Sequence, residues 1–111
     1  MYYFDHSATT PVHPEVSELM DSIQSTIYGN PSSIYSSGQK AKSVVENARR
    51  QIAESISAEP EQIIFTSGGT ESNNQVLWYM LQNQKKHVIS NYIEHPAVIK
   101  VLEFLKPFGL D

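Results

Sequence analysis

Two short β-branched and aromatic runs, Gln62-Ile63-Ile64-Phe65-Thr66 and His87-Val88-Ile89-Ser90-Asn91, each feed a loop and then an amphipathic helix. Strand, helix, strand, helix in that order implies a parallel βαβ arrangement, an α/β fold with its loops gathered on the carboxyl edge of the sheet. The first strand stops at Ser67-Gly68-Gly69, and its helix runs from about Thr70 to Gln82. The second leads to Pro96 and a helix carrying Val98, Val101, Leu102 and Leu105, which stops around Pro107-Phe108-Gly109. Upstream, Val16, Leu19, Met20, Ile23 and Ile27 recur at helical steps after Pro14 and predict an amphipathic helix ending near Gly29. The turn formers Gly29-Asn30-Pro31-Ser32-Ser33 separate it from a long second helix carrying Ala41, Val44, Val45, Ala48, Ile52, Ala53 and Ile56.

Two strands are too few for the four helices. A parallel sheet is covered on both faces, so this set leaves a strand edge and much of one face without a partner. A third strand is due at Leu110-Asp111. The reading is an extended segment over residues 1–13 and, over 14–111, the N-terminal part of a larger α/β domain truncated before its remaining strands.

With 111 residues, 40% of them hydrophobic, a second complete domain does not fit. Eight Lys and Arg against twelve Asp and Glu give a net charge of -4, which argues against nucleic acid and anionic lipid as partners. No cysteine is present, so disulfides, thiolate nucleophiles and Cys-containing zinc sites are excluded from these residues. His6, His13 and His87 are scattered without metal-ligand spacing. Neither a leader-like N-terminus nor a bilayer-length apolar run occurs, and the expected compartment is the cytoplasm.

Chemistry concentrates on the two loops at the carboxyl edge. Ser67-Gly68-Gly69-Thr70-Glu71 opens a helix, so the amides of Gly69, Thr70 and Glu71 lack helical acceptors, and glycine lets an anion approach the backbone. Such a helix end stabilises an anion by roughly 0.3–2 kcal/mol, enough to orient a phosphate. The turn reads either as a phosphate cradle or as an ordinary Gly-containing βα turn capped by Thr70 or Ser67. His95, beside Pro96 at the next helix start, is placed to stack on a planar ligand or pass a proton, or simply to cap that helix. Trp78 and Tyr79, with Val76, Leu77, Met80 and Leu81, read as core or subunit interface, and Lys85-Lys86 as partners of helix carbonyls. None of Lys40, Lys42, Lys85, Lys86, Lys100 or Lys106 falls on a carboxyl-edge loop.

Four motifs then occur in order: Asp5-His6-Ser7-Ala8-Thr9-Thr10-Pro11, Gly29-Asn30-Pro31-Ser32-Ser33, Thr66-Ser67-Gly68-Gly69-Thr70-Glu71-Ser72-Asn73-Asn74 and Ile93-Glu94-His95-Pro96-Ala97-Val98. Together they resemble the N-terminal part of the cysteine desulfurases of the NifS/IscS type, within the class V aminotransferase family. The resemblance covers essentially the whole chain. It implies an enzyme of fold type I dependent on pyridoxal 5'-phosphate (PLP), a homodimer that takes sulfur from L-cysteine, leaves alanine and passes the sulfur through an enzyme persulfide to acceptors such as iron–sulfur scaffold proteins. By motif, Gly69 and Thr70 match the positions that hold the cofactor phosphate, and His95 matches the histidine that stacks on the pyridine ring and assists proton transfer. Asn30 matches a loop near the active site.

His6 stands where relatives commonly have asparagine, and Tyr35 where histidine is frequent, so a selenocysteine lyase or another class V relative stays open. The Schiff-base lysine, the aspartate partner of the pyridine nitrogen and the sulfur-carrying cysteine belong to later motifs of the family, which this sequence does not contain. The chain alone is therefore expected to be inactive. A freestanding non-catalytic binding module and one half of a split enzyme are the competing readings.

Overall fold

In the computed structural model, residues 2–111 are described, and every regular element among them is helical. Four α-helices follow the four periodic segments: α1, Pro14–Thr26; α2, Ser36–Ser55; α3, Gly69–Gln82; α4, Pro96–Leu105. Single 3-10 turns cover Pro60–Gln62 and Lys106–Phe108. Proline opens α1 and α4, where its missing amide is no loss. The chain divides into two compact units, the first ending at Ile63 and the second covering Ile64–Asp111.

In the first unit, the turn at residues 6–8 is held by Ala8 N–H donating to Asp5 O at 3.1 Å. The Tyr3 hydroxyl donates to the carbonyls of Asp5 and Thr9 at 2.9 and 3.1 Å. Helix α1 buries no residue, and Val16, Leu19 and Met20 of its apolar stripe stay exposed. Helix α2 begins five residues before the first predicted apolar position, Ala41, and buries Gly38, Ala41 and Ala53. The loop at residues 29–33 lies directly on its first turns. A Cβ on Gly29 would fall 2.3 Å from Ser37 O, and one on Gly38 2.6 Å from Asn30 O, so only glycine permits this backbone approach. Near the other end of α2, Arg49 pairs with Glu46 at 3.2 Å and donates to the Ile63 carbonyl, tying the Pro60–Gln62 turn to the helix.

The second unit is built on α3 and α4. Leu77, Leu105 and Leu110 form its buried centre, flanked by Met80, Leu81, Val88, Val98, Val101 and Leu102. Trp78 in the third turn of α3 meets Phe104 in the last turn of α4 at 6.2 Å between ring centroids, and both approach Phe108. Late residues of one helix therefore meet late residues of the other. Gly69 and His95 stand at the starts of α3 and α4, each about 13 Å along its own helix from the aromatic contact at 1.5 Å per residue.

The predicted βαβ pairing of residues 62–66 with 87–91 is corrected by the structure: no strand ladder is formed there among the described residues. Gln62 enters the 3-10 turn, while Ile64, Phe65 and Ile89 are left exposed. β-branched sequence expresses a fit to a pleated, half-buried surface, and without neighbouring strands that surface does not exist. One rung of parallel pairing is nonetheless present, at another place. Val88 N–H donates to Asp111 O at 2.7 Å and Asp111 N–H donates to Lys86 O at 2.5 Å. Those two bonds bracket His87 opposite Asp111, the alternation of a parallel ladder, so the segment after α4 returns beside 86–88 and not beside 62–66.

Candidate functional site

Residues 64–68, bending at Ser67 and Gly68, arrive at the N-terminus of α3, where Gly68 is the N-cap and Gly69, Thr70 and Glu71 form the first turn. The first helical donor with an acceptor is Ser72 N–H, bonded to Gly68 O at 3.1 Å. Among the described residues nothing accepts from the amides of Gly69, Thr70 or Glu71. These are the donors that a helix end presents to an anion.

Space matches the donors. Beyond its chain neighbours and the helix's own backbone, a Cβ built on Gly68 or Gly69 would have no heavy atom within 4 Å, and the backbone of Gly68 is extended. Neither glycine is demanded by crowding or by a left-handed backbone; what they supply is clearance on the outside of the turn. Unpaired amides beside glycines with this clearance fit a phosphate monoester such as that of PLP.

Two side-chain clasps hold this turn. Thr66 Oγ1 and Ser72 Oγ lie 2.7 Å apart. The Glu71 carboxylate folds back, and its Oε2 accepts from both Ser67 N–H and Ser67 Oγ–H at 2.7 Å. Its Oε1 accepts from Gln75 Nε2 at 3.2 Å. The backbone and side-chain hydrogen bonds from Ser67, ahead of that from Gln75, hold the Glu71 carboxyl below the ordinary value of 4.5. Sequence reading quoted Glu71 within a motif but gave it no role. The signal was there, since a glutamate three residues after an N-cap commonly reaches back over the helix start.

His95 caps α4, its Nδ1 accepting from Ala97 N–H at 3.1 Å. In the neutral ring this fixes the proton on Nε2 and leaves that nitrogen as the outward donor. Capping and an outward imidazole are thus compatible uses of one side chain. Replacing His95 by alanine is expected to cost about 1 kcal/mol of stability in urea unfolding, and His95→Asn, which keeps a capping acceptor, to recover most of it.

Gly69, Thr70 and His95 share the second unit, at the N-termini of α3 and α4. A cavity of about 350 Å³ along α4, bounded by residues including Asn91, Ile99 and Lys106, has none of the three in its lining. Asn30 belongs to the first unit, where its Oδ1 accepts from Ser32 N–H at 2.9 Å and its carbonyl from Ser33 N–H at 3.0 Å. Its side chain is engaged in shaping its own loop. No group of three or more His, Asp or Glu suited to a metal occurs among the described residues, and no helix there is long and apolar enough to cross a membrane.

Residues 2–109 match the Aminotransferase class-V family, and the chain belongs to that family, whose members depend on PLP. Among its relatives, a cysteine desulfurase of Dictyoglomus turgidum is 42% identical, over 98% of this chain and 28% of its own length. A selenocysteine lyase of Bos taurus is 37% identical over 94% of this chain and 28% of its own length. Among solved structures, a NifS-like protein superposes with a TM-score of 0.90 at 36% identity, over 98% of this chain and 31% of that one. DndA from Streptomyces lividans gives a TM-score of 0.78 at 39% identity, over 99% and 32%. The chain thus spans under a third of the proteins it matches.

Proposed function

We propose that these residues form the N-terminal part of the cofactor-binding domain of a PLP-dependent cysteine desulfurase. The observation that carries this is the set of free amides at Gly69 and Thr70 at the start of α3, in the unit that also carries His95 at the start of α4, within a chain of this family. Gly69 N–H, Thr70 N–H and the Thr70 hydroxyl hold the phosphate. The His95 ring lies against the pyridine, with its outward Nε2 able to hold or release a proton. The cofactor, when bound, supplies an electron sink to the substrate α-carbon. L-cysteine as substrate, a sulfur acceptor protein and a second copy of the enzyme as partners belong to the same proposal.

The chain by itself supplies only part of that chemistry. It has no cysteine to carry sulfur, and its lysines lie outside the Thr66–Glu71 and Asn91–His95 loops. Incubated with PLP and L-cysteine, the purified chain is expected to release no alanine above a free-PLP control. Alanine above that control would refute the division of labour proposed here. In ¹⁵N spectra, PLP is expected to shift Gly69, Thr70 and His95, whereas pyridoxal, lacking the phosphate, leaves Gly69 and Thr70 unmoved. Resonances of all three residues indifferent to PLP would remove the basis for the cofactor site. His95→Asn separates capping from stacking: it is expected to stay folded and to lose the pyridine contribution to binding.

A further inference from the structure

A carboxylate in the first turn of α3 creates a conflict that the cofactor reading leaves open. The same helix end that attracts a phosphate also attracts Glu71, and a glutamate lying over the amides of Gly69 and Thr70 would occupy their donors and repel an incoming anion. The structure shows where that charge goes. Both oxygens of Glu71 are spent away from those amides, Oε2 on the amide and hydroxyl of Ser67 and Oε1 on Gln75. Ser67 is the residue before the N-cap, so this bond ties the incoming segment to the helix it feeds. The Thr66–Ser72 contact makes a second tie across the same turn. Between the ties lie Gly68 and Gly69; the Thr66 and Ser72 hydroxyls each reach the Gly68 carbonyl at 3.3 Å, while among the described residues Gly69 receives no side-chain bond. Two adjacent glycines carry much backbone freedom, and side-chain bonds across the turn are what restrict it.

We propose that Glu71 is a positioning residue: by accepting from Ser67 N–H and Oγ–H it locks residues 67–71 with the amides of Gly69 and Thr70 open to a phosphate monoester, while keeping its own charge off those donors. The choice of ligand rests on the PLP reading above; the lock itself does not.

The acid response follows from the bonds. Because Glu71 is held ionised below its ordinary value, the lock is intact above about pH 4.5 and is lost as pH falls through the lowered folded-state value. In ligand-free ¹⁵N spectra of the full chain, the Ser67 amide is therefore expected to titrate with a midpoint below 4.5 and to stop titrating over that range in Glu71→Gln. Glu71→Gln retains an oxygen acceptor and is expected to keep the turn ordered. Glu71→Ala is expected to raise the mobility of Gly68, Gly69 and Thr70 while the α3 amides from Ser72 onward stay helical.

With PLP as probe, Glu71→Ala is expected to bind roughly tenfold more weakly than wild type and Glu71→Gln within about threefold, since a preorganised site pays less to order itself on binding. Pyridoxal binding is expected to be the same in all three. A Ser67 amide indifferent to the Glu71 substitutions, or PLP binding unchanged in Glu71→Ala, would overturn the positioning role. A lock seen in the ligand-free spectra, with no response of Gly69 or Thr70 to PLP in wild type, would instead overturn the cofactor reading and leave the lock standing.

Discussion

Leu105→Ala is expected to unfold the second unit. Leu105 is fully buried, and with Leu77 and Leu110 it forms the centre that α3, α4 and the segment after α4 share. A buried leucine cut back to alanine costs about 2–5 kcal/mol, the transfer of the lost methyls plus the cavity left behind. A unit of the size of Ile64–Asp111 has, at 0.05–0.15 kcal/mol per residue, roughly 2–7 kcal/mol in total. The loss and the reserve are of the same size. Around the centre the unit is thinly covered, with Phe104 and Phe108 each 58% exposed, so little remains to collapse into the gap. In ¹⁵N spectra at 25 °C, α3 and α4 are expected to move to random-coil shifts, with the Val88 and Asp111 amides losing protection against exchange. Retention of both helices with a stability loss below 1 kcal/mol would show that the aromatic contacts, and not the leucines, carry the unit.

What could be read from the sequence followed the range of the forces involved. Helix hydrogen bonds join residues four apart, so the spacing of Val16 to Ile27, Ala41 to Ile56 and Val98 to Leu105 located α1, α2 and α4, and the glycine turn located the start of α3. Strands depend on partners distant in sequence, and there the reading failed. Residues 62–66 have strand composition and no ladder, while the rung that does form joins His87 to Asp111, across the whole of α4. The apolar stripe of α1 was legible as a stripe, but not that it stays exposed. The site divides in the same way. Free amides at Gly69 and Thr70 and a cap at His95 follow from local helix rules, whereas the lock by Glu71 depended on which of several donors its flexible side chain would choose.

Gly38→Ala and Gly69→Ala are the same change in the first turns of two helices, and they are expected to have opposite signs. Replacing glycine in a helix by alanine gains up to about 1 kcal/mol from lost unfolded-state freedom, if the new methyl has room. At Gly69 it has room, since nothing beyond its neighbours and its own helix backbone lies within 4 Å of the added atom, and stability is expected to hold or rise. At Gly38 the methyl meets Asn30 O at 2.6 Å and both Cβ and O of Ser33 at 2.7 Å. Most of what it strikes is backbone and cannot rotate away. To make room, the loop at 29–33 has to lift off α2, stretching the 3.0 Å bond from Gln39 Nε2 to Ser33 O that joins helix and loop. Overpacking of this kind costs about 1–3 kcal/mol and outweighs the entropic gain. Urea unfolding of the two variants beside wild type reads the difference directly. A Gly38→Ala protein as stable as Gly69→Ala would mean that the loop carrying Asn30 rests on α2 without being held there, and the close approach of the two backbones would lose its structural significance.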